Sequence, residues 1–426
     1  PAGANPDVVL RNSATAGEME LVGSTFESTI FTVPSGSITI NGNTGADTIT
    51  IESLDAAFAA DIVVDVGDGT DSVTISGALD YDGDLTITAE TINLNARVDT
   101  TTGDQTYNGD VVQGVTGLMR LTAANIRFNG DTTLQSGGSN EFQLLAAQVT
   151  NSAAGTFDVN GGRLKLESST HIVNEGNFEI GTNGSVPIFG GTSARITNNG
   201  TFTHNGSQIR LYMEIINNGT MVIDNPSGTA EIQFKAPSSI GSGGVITNNG
   251  TLNISEAAAR FDEAGAIVNA NGGIINVTGA SVTFAENLTV TNQSGGALNL
   301  NGGTVTVNDT TLTNESGGTL NLTDGTMTLT NNGAANSAGV TNFLGAGYTV
   351  NGTGTFTNQS GGVAELGSGV TVTVDGAALT NDSGGTLNLT DGTLTLTNNG
   401  AANSAGVTNF LGTSYTVNGT GTFTNQ

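Results

Sequence analysis

Apolar residues along this chain recur at every second position in short runs. SITIN (37–41), LTITAETINL (85–94), TLNL (319–322) and TMTLT (326–330) read this way, with Ser, Thr or Asn between the Ile, Leu and Met. A period of two places the apolar set on one face of a β-strand. Asp-Gly, Asn-Gly and Ser-Gly-Gly separate the runs, and these residues reverse a chain. In TLNLTDGTMTLT the pattern predicts that Leu320, Leu322, Met327 and Leu329 point inward. LDAAFAA (54–60) has helical composition but is too short to stand as a helix, so an outward loop is expected.

A slower beat runs over this alternation. An apolar–x–Asn signature followed by Gly recurs at Asn151, Asn174, Asn198, Asn217, Asn248, Asn269, Asn292, Asn314, Asn331, Asn358, Asn381, Asn398 and Asn425. From Asn151 to Asn425 is 274 residues (425 − 151) in 12 steps, about 23 per step. Residues 312–359 and 379–426 are near-duplicates at an offset of 67 (379 − 312), three steps long. They differ only at Glu315/Asp382, Met327/Leu394, Ala346/Thr413 and Gly347/Ser414. A fixed period of this size signals stacked repeats. One step cannot bury its apolar face alone, but steps stacked about 4.8 Å apart close a continuous core.

The expected fold is therefore all-β: a parallel β-helix (solenoid) of about 23 residues per coil. The corner Asn is expected to take the left-handed conformation, with positive φ at the following Gly. Stacked coil on coil, Asn174, Asn198, Asn217, Asn248, Asn269, Asn292, Asn314, Asn358, Asn381 and Asn425 are expected to form an amide ladder. The rival is antiparallel, because Asp324-Gly325 between alternating runs is a hairpin signal.

The organisation expected is 1–36 as an N-terminal cap or assembly strands, 37–148 as irregular coils with Asp/Gly turns, and 149–426 as coils with Asn-Gly corners. VVL (8–10), MELV (19–22) and STIFTV (28–33) read as short strands. INLNARVDTTTGDQTYNGDV (92–111) and the steps VTNSAAG, IVNEGNF, ITNNGTF and LTNESGG resemble filamentous-haemagglutinin-like adhesins and autotransporter passenger domains. That resemblance implies a right-handed parallel β-helix. Gly45-Ala46-Asp47-Thr48-Ile49 and Gly69-Thr70-Asp71-Ser72-Val73 resemble the second half of RTX calcium-binding nonapeptides. This second resemblance implies calcium at Asp47, Asp68 and Asp71; solvated corners are the alternative.

Composition narrows the function. Lys plus Arg number 10 against 38 Asp plus Glu, for a net charge of −28. No basic residue follows Arg260. Such a surface repels nucleic acid and anionic lipid. Absent Cys removes disulfides and thiolate chemistry. No apolar run is long enough to span a bilayer. Starting at Pro1 without Met, the natural start is expected to have been processed away.

Candidate chemistry is sparse. A carbohydrate-active β-helix enzyme, a polysaccharide lyase or hydrolase, needs carboxylates or Arg/Lys clustered on adjacent coils. Arg163 and Arg210 share a coil position, near Lys165, Glu167 and Glu214, but Val186 interrupts the row. His171 and His204 fall at different coil positions. Thr pairs at 304/306, 326/328, 371/373 and 393/395 change position between coils and fit strand propensity. The expected function is a non-enzymatic, secreted structural protein: an extracellular filament, surface fibre or adhesin, with surface glycans as candidate partners. Because the chain stops in mid-repeat at Gln426, head-to-tail self-association or a longer array is also expected.

Overall fold

The computed structural model describes residues 7–134, 140–160, 162–167, 169–181, 185–190, 193–224, 228–234, 244–255, 258–263 and 265–426. Among these, regular structure is β-strand throughout, in parallel strands stacked as a β-solenoid with about 23 residues between coils. A coil carries three strands, and each pairs with the strand at the same place one coil on. Val290 faces Leu312, Leu298 faces Leu320 and Val305 faces Met327. The chain divides into two compact units, Pro1–Phe202 and Thr203–Gln426.

The first unit opens with antiparallel strands. Glu18–Gly23 pairs with Asp7–Asn12 on one edge and with Thr29–Thr32 on the other. Asp7–Asn12 also lies parallel to Thr48–Ile51, and so joins the stack. From Ser37–Asn41, which lies parallel to Asp61–Asp65, pairing proceeds coil to coil. Alternation places one aromatic after another inside. The rings of Phe157, Phe178 and Phe202 are stacked with centroids 5.2 Å apart. Such contacts add to the burial that drives folding. LDAAFAA is a loop, but it is not turned outward. Phe58 is buried, with its ring edge-on to Tyr81 at 5.5 Å. The apolar surface of Phe58 draws the loop inward.

The second unit contains the duplication. Leu320 pairs with Thr341, Thr341 with Ala364, and Ala364 with Leu387, so an offset of 67 residues is three coils. Leu320, Leu322, Met327 and Leu329 are all buried. The hairpin at Asp324-Gly325 does not form. Both halves of Thr319–Thr330 run parallel to the coil before and to Val340–Gly352 after. A hairpin would satisfy one edge of each run, whereas the stack satisfies both. Asp324 takes φ 46°, and its carboxylate accepts the Ala346 and Gly347 N–H groups of the next coil. Asp391 does the same with Thr413 and Ser414.

Candidate functional site

The most ordered polar feature is a buried column of side chains at one corner. Strands such as His171–Asn174, Ala266–Asn269 and Thr311–Asn314 alternate half-buried and buried, and end on a buried Asn. Parallel register then sets Asn on Asn: Asn151 on Asn174, Asn248 on Asn269, Asn269 on Asn292. In the first unit Asn151 Nδ2 donates to Asn174 Oδ1, and Asn174 Nδ2 to Asn198 Oδ1, each at 2.7 Å. In the second unit the same bond joins Asn217 to Asn248 and Asn248 to Asn269 at 2.7 Å. It continues from Asn269 to Asn292 at 2.6 Å and from Asn292 to Asn314 at 2.7 Å. Asn358 and Asn381 are joined at 2.8 Å. Each amide also ties down the turns. Asn292 Nδ2, for example, reaches Gly296 O at 3.2 Å and Thr319 O at 2.9 Å. Asn425 is in register with Ser404 and is exposed.

Two details differ from the sequence reading. The ladder Asn residues have ordinary strand φ; the left-handed corners belong to other residues, among them Asn331, Asn332, Asn398 and Asn399. An inward carboxamide cannot also act as a left-handed turn residue, because a strand end is what directs its side chain into the stack. Asn331 and Asn398 therefore stand outside the ladder, where Ser337 and Ser404 take their coils' places. Asn314 Nδ2 donates to Ser337 Oγ and Asn381 Nδ2 to Ser404 Oγ, each at 3.0 Å. Beside each Ser, an inward Thr (Thr341, Thr408) donates to its hydroxyl.

A second ladder, on the solvent side, escaped the sequence reading. Asn276 donates to Asn253, Asn299 to Asn276, Asn321 to Asn299 and Asn342 to Asn321, at 2.8–2.9 Å. Asn388 donates to Glu365, and Asn409 to Asn388. Its signal was the Asn at the centre of LNI (252–254), INV (275–277), LNL (298–300), LNL (320–322) and TNF (341–343). Parallel stacking alone brings these outward positions together.

Of the three acids expected at a metal, Asp47 and Asp71 are each 2% exposed and sit one coil apart, just before the paired residues Thr48 and Ser72. Asp68 is exposed, and its backbone oxygen accepts Gly45 N–H at 3.1 Å. Among the described residues no three His, Asp or Glu side chains converge as a metal-binding group.

The charged residues weighed for catalysis are dispersed. Arg163 is in register with Glu141, and Lys165 pairs with Glu167 at 2.6 Å on the same face. Arg210 belongs to the second unit, where its Nε donates to Gln233 at 3.2 Å. Thr247 Oγ1 reaches Glu214 at 3.5 Å. The Val186 side chain lies outside the described residues. A compact polar group not anticipated lies at Arg260, which pairs with Asp262 and Glu286 at 3.0 Å each. Burial pushes the Asp262 carboxyl above its ordinary pKa, against the hydrogen bond from Arg260. Its Oδ1 is buried without a hydrogen bond.

The two His residues are separate. His171 Nε2 meets Thr197 Oγ1 at 2.8 Å, and burial and then Arg195 lower its pKa. His204 is wholly buried in the second unit with neither ring nitrogen hydrogen-bonded, and burial pushes its pKa down to about 4. The Thr pairs 304/306 and 326/328 stack in register; the pair 371/373 is displaced, with Thr373 rather than Thr371 on Thr349. Among the described residues no helix is long and apolar enough to cross a membrane. Compared with known proteins, the chain matches no family model and no curated sequence.

Proposed function

We propose that this protein is a secreted, non-enzymatic structural element: a surface fibre, filament or adhesin whose solenoid supplies reach. The observation carrying this reading is the recurrence of one three-coil unit. In two of its three strands residues 67 apart occupy equivalent places three coils apart, with the same inward Leu and the same Asn-to-Ser ladder step; in the third the register slips by two, so that Thr326 is equivalent to Thr395. Copying such a unit adds length without adding chemistry, and an additive stack is the energetics of solenoids. Head-to-tail self-association, contact with surface glycans and extracellular location belong to the same proposal. The acidic surface, with net charge −28, favours solubility while disfavouring nucleic acid and anionic membranes.

A second reading, a carbohydrate-active enzyme, draws on Arg260 with Asp262 and Glu286. The test is electron microscopy of the purified chain over a concentration series, with a parallel assay for release of reducing or unsaturated ends from acidic and neutral polysaccharides. Concentration-dependent filaments with no release support the proposal. Monomers that depolymerise a polysaccharide would replace it with the second reading.

A further inference from the structure

We propose that one outward face of the second unit pairs with the same face of a second copy, the two chains running antiparallel about the coil of Val340 and Leu344. The starting point is where apolar side chains remain in contact with water. Outside the last coil, the large apolar side chains left exposed among the described residues of the second unit are Ile274, Val340 and Leu344. All three lie on the face that carries the solvent-side Asn ladder. Ile274 flanks Asn276, and Val340 and Leu344 flank Asn342. Val340 is 37% exposed and Leu344 41%, although this coil has another on either side of it. Register puts Ile274 three coils before Val340, and Val407 three coils after it. Leu411 accompanies Val407 as Leu344 accompanies Val340, and both Val407 and Leu411 are exposed.

Spacing, charge and hydrogen-bonding capacity select a second copy as the occupant. The apolar rungs recur every three coils, about 14 Å, and this face is itself a surface with that spacing. At the outward strand positions from Ile274 to Leu411 the one ionised side chain is Glu365, in a chain of net charge −28. Copies of like charge can approach here, whereas a basic partner would be drawn to acids at the corners, such as Glu315 and Asp324. The ladder amides are also self-complementary. Asn342 Nδ2 spends one hydrogen on Asn321 Oδ1, at 2.8 Å, and keeps a second for a group on the facing chain.

A two-fold axis through the Val340–Leu344 coil, parallel to its strand, makes the contact isologous. It sets Val340, Asn342 and Leu344 against their own counterparts, and Ile274 against the other copy's Val407. Glu365, one coil beyond Asn342, then falls opposite Asn321, one coil before it. Its carboxylate meets an amide donor there, not a second charge. Seven coils at about 4.8 Å by five residues at about 3.3 Å cover roughly 550 Å² on each copy. The total, about 1,100 Å², is that of a specific but modest interface. This contact uses a strand face and leaves the coil ends free, so it does not depend on head-to-tail stacking.

The experiment follows the full chain by sedimentation velocity over a concentration series, at low and high sodium chloride. Wild type should pass from monomer to dimer as concentration rises, and more readily at high salt, because screening weakens repulsion between the corner acids. Leu344→Asp sets two carboxylates against each other at the centre of the contact. The side chain is exposed, so the variant should keep the wild-type melting curve while dimerising at least about tenfold more weakly. Orientation is read with single cysteines, since the chain has none of its own, and a short bis-maleimide, since facing sheets stand about 10 Å apart. Val340→Cys should cross-link to itself. Ile274→Cys and Val407→Cys should cross-link when mixed, and neither alone. Wild type that stays monomeric throughout, or mixed Ile274→Cys and Val407→Cys that do not cross-link, overturns the proposal. Association unchanged in Leu344→Asp overturns it too, and leaves head-to-tail stacking in its place. If Leu344→Asp does not fold, the cross-linking pattern still decides the question.

Discussion

Removing one carboxamide from the buried ladder should cost more than its neighbours' packing can recover, and the chain contains its own control. Asn269 accepts Asn248 Nδ2 at 2.7 Å, and donates to Asn292 Oδ1 at 2.6 Å, Ala297 O at 2.9 Å and Gly273 O at 3.0 Å. Asn269→Leu keeps the volume but leaves Asn292 Oδ1 without its donor and Asn248 Nδ2 without one acceptor. At about 1–3 kcal/mol for each buried group left unpaired, the loss is roughly 3–5 kcal/mol, less about 1–2 kcal/mol regained by the apolar side chain. Asn269→Ser is milder. Ser337 already accepts from Asn314 at 3.0 Å in the same column, and the cost there is one orphan, Asn358 Oδ1. A loss of about 1–2 kcal/mol is expected for the Ser variant. Urea unfolding gives the order, and amide hydrogen exchange over 245–320 gives the place, since a repeat stack opens locally. Equal losses for Leu and Ser, or a Leu variant as stable as wild type, would refute the view that the ladder fixes this corner.

His204 carries a pH dependence with a definite sign. Its pKa is about 4 in the fold against 6.5 as the ordinary value, so between these the unfolded chain binds more protons and stability falls as pH drops. The span of roughly 2.5 units corresponds to roughly 3 kcal/mol. The stability difference between His204→Leu and wild type should widen by about that much from pH 6.5 to 4 and stay flat above, as read by denaturation at each pH. Leu320→Ala and Leu387→Ala empty equivalent buried sites three coils apart, so each should lower stability by about 2–5 kcal/mol. Very unequal losses would show that the two copies are not packed alike.

Much of this architecture is legible in the sequence because its signals are local and repeated. Alternation identifies Leu320, Leu322, Met327 and Leu329 as inward, and the 67-residue offset gives the three-coil register in the strand of Leu320 but not in that of Thr326, which slips by two residues to Thr395. What escapes depends on which turn a motif occupies. Thr313-Asn314 and Thr330-Asn331 both follow an inward Leu, yet Asn314 continues the strand inward and Asn331 turns left-handed at φ 48°. Strand parity cannot separate them; the ladder partner can, and here that partner is Ser337. The exchange of Asn for Ser becomes readable only together with Thr341, whose hydroxyl completes the polar contact. The acids show the same limit. Asp68 lies close to Asp71 in sequence, whereas Glu90 is the residue stacking brings to the column. Phe58, in a loop of helical composition, is drawn inward by its own apolar surface.

The central claim is that the duplicated unit is three stacked coils whose copying adds reach. It is tested most directly by inserting one more copy of residues 312–378 between Ala378 and Leu379 and measuring solution X-ray scattering. Three coils at about 4.8 Å each should lengthen the particle by about 14 Å with an unchanged cross-section. An unchanged maximum dimension with a thicker cross-section, or an inserted unit that remains unfolded, would contradict the account.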